Sequence, residues 1–325
     1  MTITRDPVHN GSPGIPSWLG EDMERVENLL SSTAGASAHP LVSEASTHLI
    51  NAGGKRIRPA LVLLTSRAGE SGRSGTDLAA AGIELIHLAT LYHDDVIDDT
   101  DTRRGVPTAH SKWGVEVAVL AGDYLFASGC ALGARAGGRV PVIIAGALAE
   151  VCEGQIAETA IVGDPRRSVD DYYETIHKKT AALFRGACEL GTETSGAGDE
   201  ATRALSAYGV NLGLAFQLVD DLLDLVGDPQ VTGKSPGTDL REGVFTMPVL
   251  LGCERDPSLA ERLLSGERDV DTVLPALEKV GALDDSLRAA RDHGLAAERA
   301  LESFPGSQWV DALHSLVSHV LAQIN

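Results

Sequence analysis

Two stretches of the sequence, HDDVIDDTDTRRG (residues 93–105) and FQLVDDLLDLVGD (residues 216–228), place clusters of aspartates within helical patterns of apolar residues. In the first stretch, Asp94 and Asp98 are four residues apart, so on a helix both side chains project from one face about a turn apart. The second stretch repeats this four-residue spacing among stronger apolar flanks. Both stretches therefore predict helices that present carboxylates from one face.

The duplicated aspartate pattern predicts a site for divalent metal ions. Like charges at this spacing destabilise a helix by a few tenths of a kcal/mol per pair, and carboxylates among apolar side chains are costly unless they are paired or coordinated. Mg²⁺ takes a few hard oxygen ligands from a protein and completes its shell with water and phosphate oxygens. A solvated acidic face would explain one such cluster, but two copies with matched apolar flanks favour a metal–diphosphate site.

The rest of the chain has the composition and periodicity of a helical protein. Of its 325 residues, 43% are hydrophobic and only 4% are aromatic, which is sufficient for a sizeable core. Amphipathic helical patterns follow one another, separated by Gly- or Pro-containing breaks, and no run alternates convincingly as a strand. We expect one all-α domain over residues 18–325, preceded by a loose, Gly- and Pro-rich arm at residues 1–17.

Charge and hydropathy exclude several classes of protein. The formal net charge is −19, whereas nucleic-acid-binding proteins normally carry a basic footprint, so we expect no nucleic-acid partner. The four cysteines are widely spaced and form no CxxC motif, which argues against a thiolate metal site. The N-terminus lacks the apolar centre of a secretory signal, and the longest apolar run, residues 140–149, is too short to span a bilayer. These features predict a cytoplasmic protein without a transmembrane segment.

Basic residues near the two motifs are candidates for binding an anion such as a diphosphate. The segment NAGGKRIRP, residues 51–59, is a basic loop that runs into a predicted helix start, where backbone N–H groups can bind anions. His87 lies seven residues before Asp94, two turns along the same helix face. The full set of candidates is Lys55, Arg58, His87, Arg103, Arg104, Lys179 and Lys234. Each alone is also consistent with a solvated surface charge, so their position relative to the aspartates carries the prediction.

The motifs GGKRIRP, HDDVIDDTDTRRG, KT, FQLVDD, GK and TMPVL occur in the order typical of the all-trans polyprenyl diphosphate synthases, and the similarity spans roughly residues 42–250. The chain resembles this family, especially its long-chain branch. The resemblance implies a helical bundle of the isoprenoid synthase type around a deep central cavity, usually as a homodimer. It also implies condensation of isopentenyl diphosphate with an allylic diphosphate, and transient membrane contact for product release. The expected cofactor is Mg²⁺, with three ions bound beside the substrate and Mn²⁺ able to substitute.

Matching positions within these motifs gives each residue an implied role. The metal ligands and their close supports would be Asp94, Asp95, Asp98, Asp220, Asp221 and Asp224. Arg103, Lys179 and Lys234 correspond to allylic-diphosphate contacts, whereas Lys55, Arg58, His87 and Arg104 correspond to isopentenyl-diphosphate contacts. Thr180 and Gln217 match positions whose oxygens face the reacting allylic carbons. The residues expected to carry catalysis are therefore Asp94, Asp98, Lys179, Thr180, Gln217 and Asp220.

The residues preceding Asp94 are expected to set the product length. Moving five residues back along a helix descends about 7.5 Å, and short-chain relatives carry bulky side chains at that depth. Ala89 and Thr90 occupy it here, which places the cavity floor deeper, near Ile86, Ile83 or a facing helix. The prediction is a product longer than geranylgeranyl diphosphate, in the hexaprenyl-to-nonaprenyl range. A geranylgeranyl or farnesyl diphosphate synthase is the alternative.

The sequence departs from the family pattern at two places, and two other classes of protein share some of its features. Val244 stands where many members have Lys, and the C-terminal HVLAQIN lacks a basic tail, so we expect weaker substrate binding rather than loss of activity. A class I terpene cyclase is disfavoured because its second metal motif usually contains Asn, Ser and Glu. A non-catalytic regulatory subunit typically loses the aspartates that are intact here.

Overall fold

The computed structural model describes residues 14–70, 75–227 and 236–324, and the predicted all-α class is confirmed. The first half of the chain forms α1 (Gly20–Ala34), α2 (Pro40–Asn51), α3 (Ile57–Thr65), α4 (Thr76–Ile97), α5 (Ala109–Trp113), α6 (Val115–Ala136) and α7 (Val140–Ile161). The second half forms α8 (Val169–Ile176), α9 (Ala182–Ser195), α10 (Asp199–Val226), α11 (Thr238–Glu242), α12 (Met247–Arg255), α13 (Pro257–Leu264), α14 (Val270–Lys279), α15 (Ala282–Ala300) and α16 (Gln308–Ala322). Most of the predicted N-terminal arm, residues 1–13, lies outside the described residues.

The helix that carries the first motif ends at Ile97, and a small hairpin follows it. The last turn of α4 closes with a hydrogen bond from the Asp98 N–H to the Asp94 carbonyl oxygen (2.8 Å), and Asp99 then adopts a left-handed φ of 49°. Strands β1 (Thr102–Arg103) and β2 (Val106–Pro107) pair antiparallel around Arg104 and Gly105. Both of these turn residues have positive φ, 52° and 76°, as a two-residue type I′ hairpin requires. The expectation that the chain contains no strand is therefore wrong at this hairpin.

The chain divides into two compact units. The first unit comprises Met1–Ala145, Ala187–Thr202 and Gly306–Leu316, and the second comprises Gly146–Gly186, Arg203–Pro305 and Val317–Asn325. The first aspartate motif belongs to the first unit and the second motif belongs to the second unit. The single domain predicted over residues 18–325 stays a prediction.

Close packing of α4 against α6 is the main feature of the first unit. A methyl group added at Gly129 of α6 would lie 2.8 Å from the carbonyl oxygen of Gly82 on α4, so only glycine permits this approach. Most of α4 is buried, including Ala79, Ala80 and Ala81 along its first turns. The small residues thus bring the two helices together and fix the axis on which Asp94 and Asp98 are placed.

The second unit is organised around α10 and α12. A methyl group at Gly213 of α10 would lie 2.7 Å from the Cα of Ala181, so glycine allows α10 to approach the residues that join α8 to α9. Helix α12 packs against α13, α14 and α15. A methyl group at Gly252 of α12 would lie 2.3 Å from a methyl carbon of Leu277, which is again a contact between closely spaced helices.

Two helices, α6 and α7, are apolar and long enough to cross a membrane by length and composition, although residues 140–149 alone are not. Core helices of soluble proteins pass the same criterion, so it is weak evidence for a membrane span. Both helices nevertheless keep exposed apolar side chains, such as Leu120 on α6 (65% exposed) and Val142 on α7 (66% exposed).

We predict that Gly191→Ala destabilises the protein without altering its site residues. A methyl group at Gly191 of α9 would lie 2.0 Å from the Thr65 hydroxyl oxygen and 2.5 Å from the Val62 carbonyl oxygen of α3. Overpacking of this kind costs about 1–3 kcal/mol of unfolding free energy, which denaturant unfolding would measure. Gly146→Ala is the matched control, because no atom lies within 4 Å of the added methyl group and the change should stabilise the helix by up to about 1 kcal/mol. Equal stability of the two variants would contradict the packing argument.

Candidate active site

The carboxylates of the first motif differ in their surroundings. Asp94 is partly buried and Asp98 is exposed, and both project from the C-terminal end of α4. Asp95 is buried and accepts a hydrogen bond from Arg103 Nε at 2.5 Å through one oxygen. Its other oxygen, Oδ2, is buried with no hydrogen-bond partner among the described residues. Burial raises the pKa of Asp95, and the nearby charge of Arg103 opposes that rise.

A cluster of cations lies beside the first motif in the first unit. Arg104 donates hydrogen bonds to the carbonyl oxygens of Leu49 (3.1 Å) and Gly53. A side chain at Gly54 would collide with the Arg104 guanidinium at 2.8 Å, so glycine at this position makes room for the cation. The GGKRIRP loop and the hairpin arginine, which are 51 residues apart in sequence, are thereby brought together.

Arg56, which was not among the predicted site residues, is used to hold this cluster. Its backbone is left-handed (φ 50°), and its buried side chain pairs with Glu27 and, at 3.3 Å, with Glu84 of α4. It also donates to the Gly53 and Ile50 carbonyl oxygens, each at 3.2 Å. Burial opposes the charge of Arg56, but the two glutamates more than offset it and raise its pKa. Arg56 therefore stabilises the GGKRIRP loop through these buried contacts instead of binding an anion.

Burial and mutual repulsion shape the charges of the cluster. Burial lowers the pKa of Arg58 to about 10; the carboxylate of Glu84 partly opposes this change, and the charge of Arg104 adds to it. Burial and the charges of Arg58 and Arg104 together lower the pKa of His87 well below its usual value, so its imidazole is neutral at pH 7. Glu84 is the buried counter-charge, and its Oε2 has no hydrogen-bond partner among the described residues. Clustered cations of this kind favour an incoming anion.

A chain of hydrogen bonds organises the second motif. The buried carboxylate of Asp221 accepts from the Tyr172 hydroxyl at 2.5 Å and from Gln217 Nε2 at 2.8 Å. Gln217 in turn accepts from the Thr180 hydroxyl through Oε1 at 2.6 Å. Burial raises the pKa of Asp221 to about 7, while the hydrogen bonds from Tyr172 and Gln217 lower it. The predicted residues Thr180, Gln217 and Asp221 are thus one connected network.

The two other aspartates of this motif have separate surroundings. Asp220 is exposed at the C-terminal half of α10. Asp224 is partly buried and accepts hydrogen bonds from the backbone N–H groups of Thr238 (3.1 Å) and Asp239 (3.2 Å), which begin α11. The predicted cation Lys234 lies outside the described residues, between these two elements.

Lys179 and Thr180 lie in a π-helical turn, His177–Ala181, that joins α8 to α9. Such turns are rare and frequently mark functional sites. Gly154 of α7 allows this turn to approach, since an added methyl group would lie 2.6 Å from the Lys179 backbone nitrogen. One turn further along α7, Glu158 pairs with the Lys179 ammonium. Sequence reasoning missed Glu158, because nothing local distinguishes it from Glu150 and Glu153 on the same helix.

The residues predicted to set product length lie on α4 before the motif. Ala89 and Ile86 are buried, and Thr90 is partly buried with its hydroxyl donating to the His87 carbonyl oxygen at 2.8 Å. A methyl group at Gly129 would lie 3.0 Å from a methyl carbon of Ile86, so Ile86 points towards α6.

A metal ion held by protein side chains alone needs several converging ligands. Within residues 14–70, 75–227 and 236–324, no three His, Cys, Asp or Glu side chains converge closely enough to hold a metal by themselves. Mg²⁺ is usually held by one or two carboxylates together with substrate phosphates and water, and a closed protein cage is not required. Asp94 and Asp98, one turn apart on α4, suit that mode of binding.

Comparisons with known proteins identify the chain's relatives. Residues 39–280 match the family model described as polyprenyl synthetase. The chain is 39% identical over 307 residues to nonaprenyl diphosphate synthase of Mycobacterium tuberculosis, covering 92% of this chain and 91% of that protein. It is 32% identical over 310 residues to heptaprenyl diphosphate synthase component 2 of Bacillus subtilis, covering 94% and 88% respectively.

Solved structures agree with the sequence relatives. The crystal structure of polyprenyl synthase from Caulobacter crescentus, complexed with calcium and isoprenyl diphosphate, aligns with a TM-score of 0.90 at 36% identity. The alignment covers 97% of this chain and 99% of that one. The match to the family model, residues 39–280, includes both aspartate motifs and the basic loop. The chain therefore belongs to the polyprenyl synthetase family of prenyltransferases and has its all-helical fold.

Proposed function

We propose that this protein is an all-trans polyprenyl diphosphate synthase that joins isopentenyl diphosphate to an allylic diphosphate. The observation that carries the proposal is the cation cluster beside the first motif, in which Arg58 and Arg104 lie near both the buried Glu84 and a neutral His87. An anion that enters this cluster relieves the repulsion among the arginines. Family membership supports the same function, because a prenyltransferase of this kind must bind two diphosphates.

In the first unit, we assign isopentenyl diphosphate to the cation cluster. Arg58 and Arg104 present guanidinium groups that suit phosphate oxygens, and the exposed Lys55 adds a further charge at the loop. His87 is neutral, so one of its ring nitrogens can donate a hydrogen bond to a phosphate oxygen. Arg56 is excluded from this role because Glu27 and Glu84 already hold it.

From the family motifs, we propose that Arg103 of the first unit and Lys179 of the second unit are residues that bind phosphate oxygens of an allylic diphosphate. Bound Mg²⁺ ions would neutralise those phosphates and favour departure of the diphosphate, which is the chemistry that a metal supplies. The ligands would be Asp94, Asp98 and Asp220, supported by Asp95, Asp221 and Asp224. The Caulobacter relative was crystallised with calcium and isoprenyl diphosphate, which supports a divalent metal in this family.

The protein's own residues then position the reacting carbons. Hydrogen bonds link Thr180, Gln217 and Asp221, and we propose that the Thr180 and Gln217 oxygens stabilise positive charge that develops on the allylic group. The carbon–oxygen bond of the allylic diphosphate breaks, the isopentenyl double bond forms the new carbon–carbon bond, and a proton leaves to the departing diphosphate. No covalent bond to the protein is needed, so binding and orientation are the enzyme's contribution.

We further propose that the product is longer than geranylgeranyl diphosphate. Ala89 is small and buried on α4, five residues before Asp94, and therefore leaves depth for a growing chain. The named relatives that make nonaprenyl and heptaprenyl diphosphate support the same range. The cytoplasm, with brief membrane contact to release so apolar a product, is the proposed location.

A homodimer is the proposed assembly, formed through the exposed apolar face of α6. Val115, Val119, Leu120 and Phe126 all keep substantial exposure on this helix. Val115, Val119 and Phe126 lie within about 40° of one another around the helix, and an exposed apolar stripe of this kind is typical of an interface. A second copy of this chain would cover them. The Bacillus relative is named as one component of an enzyme, so a heteromeric partner is the alternative outcome of the test below.

We predict that Asp94→Ala and Asp220→Ala each lower kcat by orders of magnitude in saturating Mg²⁺, because each removes a proposed metal ligand. Product formation from labelled isopentenyl diphosphate and an allylic primer would measure the effect, with circular dichroism as the folding check. Asp199→Ala is the matched control, since Asp199 is an exposed acid on the first turn of α10. Wild-type turnover in both site variants would reject the metal assignment.

We predict that Ala89→Phe shortens the product towards geranylgeranyl or farnesyl diphosphate, because the larger side chain fills the depth that Ala89 leaves open. Chromatographic sizing of labelled products would show the shift. Ala89→Ser, which hardly changes the volume, should keep the wild-type distribution. Overpacking can cost about 1–3 kcal/mol of stability, so thermal unfolding is measured alongside. A folded, active Ala89→Phe enzyme with unaltered products would disprove the proposed depth limit.

We predict that Val119→Glu converts the homodimer to a monomer, because it places a charge within the exposed apolar stripe that Val115, Val119 and Phe126 form on α6. Sedimentation velocity of the purified chain would measure the change in mass. Leu295→Glu is the control, since Leu295 is an exposed leucine on α15 (51% exposed) and should leave the assembly unchanged. A wild-type chain that is monomeric alone would instead favour a heteromeric partner.

A further inference from the structure

Arg167 is a half-buried cation in the second unit that sequence reasoning did not select. It lies in the loop before α8, and its Nη2 donates to the Phe245 carbonyl oxygen at 2.6 Å. Its guanidinium carbon is 5.6 Å from the centre of the Tyr172 ring, which is a cation–π distance. Its Nε is buried and has no hydrogen-bond partner among the described residues. Burying a guanidinium with an unused donor costs free energy unless a nearby negative charge compensates for it.

The negative charges around Arg167 belong to the second aspartate motif and its supports. Burial lowers the pKa of Arg167, and the nearby groups that oppose this change are led by Glu158, Tyr172 and Asp221. Glu158 also pairs with Lys179, and Tyr172 donates to Asp221. Arg167 therefore lies within the electrostatic environment of the proposed allylic-diphosphate residues.

The backbone that Arg167 contacts is the turn containing Val244, where many family members carry Lys. The Val244 N–H donates to the Asp239 carbonyl oxygen at 2.8 Å, and the Asp239 N–H donates to Asp224 at 3.2 Å. The turn is thus connected to Asp224 on one side and, through Arg167 and Tyr172, to Asp221 on the other. A guanidinium from another segment of the chain lies against the residue that follows the missing lysine.

We propose that Arg167 is a positioning residue that supplies, from the loop before α8, the cationic charge that Val244 does not provide beside the second aspartate motif. It holds the Val244–Phe245 backbone and stacks on the tyrosine that anchors Asp221. The ligand that benefits is the metal-bound diphosphate of the allylic substrate, so the inference rests on the proposed function. On this proposal, Val244 costs less affinity for the allylic substrate than the sequence predicts.

A double-mutant cycle of Arg167→Gln and Val244→Lys tests the proposal. Dissociation constants for a non-ionising thiodiphosphate analogue of the allylic substrate are measured by calorimetry with Mg²⁺, together with KM for both substrates. Arg167→Gln should weaken binding of the analogue about tenfold, as loss of a charge-assisted interaction does, with the isopentenyl-diphosphate KM changed less than about twofold. Val244→Lys should change little in the wild-type background and restore most of the lost affinity in the Arg167→Gln background.

Three further variants make the outcomes decisive. Arg166→Gln removes the adjacent arginine, whose side chain is exposed and pairs with Asp164, and should behave as wild type. Arg268→Gln removes a second arginine beside this turn, whose guanidinium carbon lies 5.5 Å from the centre of the Phe245 ring. Any loss of affinity in this variant should not be restored by Val244→Lys. If Arg167→Gln does not fold, Arg167→Met carries the test, because it keeps much of the apolar stem without the charge and should likewise weaken binding of the analogue about tenfold.

Either of two results would overturn the inference. One is an affinity in Arg167→Gln that equals that of Arg166→Gln; the other is a Val244→Lys effect of the same size in both backgrounds, which would show that the two positions act independently. For the methionine variant, wild-type affinity at wild-type thermal stability would have the same meaning. Wild-type protein that binds the analogue but forms no prenyl product would reject the proposed function without affecting this comparison.

Discussion

Carboxylates placed in apolar helices are the costly element of this protein, and the arrangement of their partners shapes the rest of the site. A buried carboxylate without donors would neutralise itself or unfold its surroundings. Here Asp95 is paired with Arg103, Glu84 with Arg56, and Asp221 with the Tyr172 hydroxyl. Each motif therefore combines a buried carboxylate, held by the protein, with more accessible ones on the same helix.

This division separates supporting residues from residues that can meet a ligand. Asp221 is fixed from two directions, so the helix turn on which the exposed Asp220 lies is held in place. In the first motif, the pairing of Asp95 with Arg103 connects the end of α4 to the hairpin that follows. Supporting hydrogen bonds of this kind orient metal ligands and are as much a part of a site as the ligands are.

Glycines provide the space that this arrangement needs. Gly54 lets Arg104 approach the basic loop, and Gly154 lets α7 approach the π-helical turn that carries Lys179. In both places a methyl group would lie less than 3 Å from atoms of the approaching residue. The positions of two cations therefore depend on the absence of a side chain elsewhere, which makes the site sensitive to substitutions at residues that bind nothing.

The sequence by itself determined the helical class, the family and the two aspartate motifs, because helical periodicity and the spacing of like charges are local properties of the chain. It did not predict the hairpin, since Arg104 has a positive φ at a turn position that Asn, Asp or Gly usually occupies. Nor did it identify Arg56 as a structural cation, or Glu158 and Arg167 as neighbours of the second motif. Those roles were decided by tertiary structure alone, because burial and long-range pairing determine whether a charged side chain is held by the protein or left to bind a ligand.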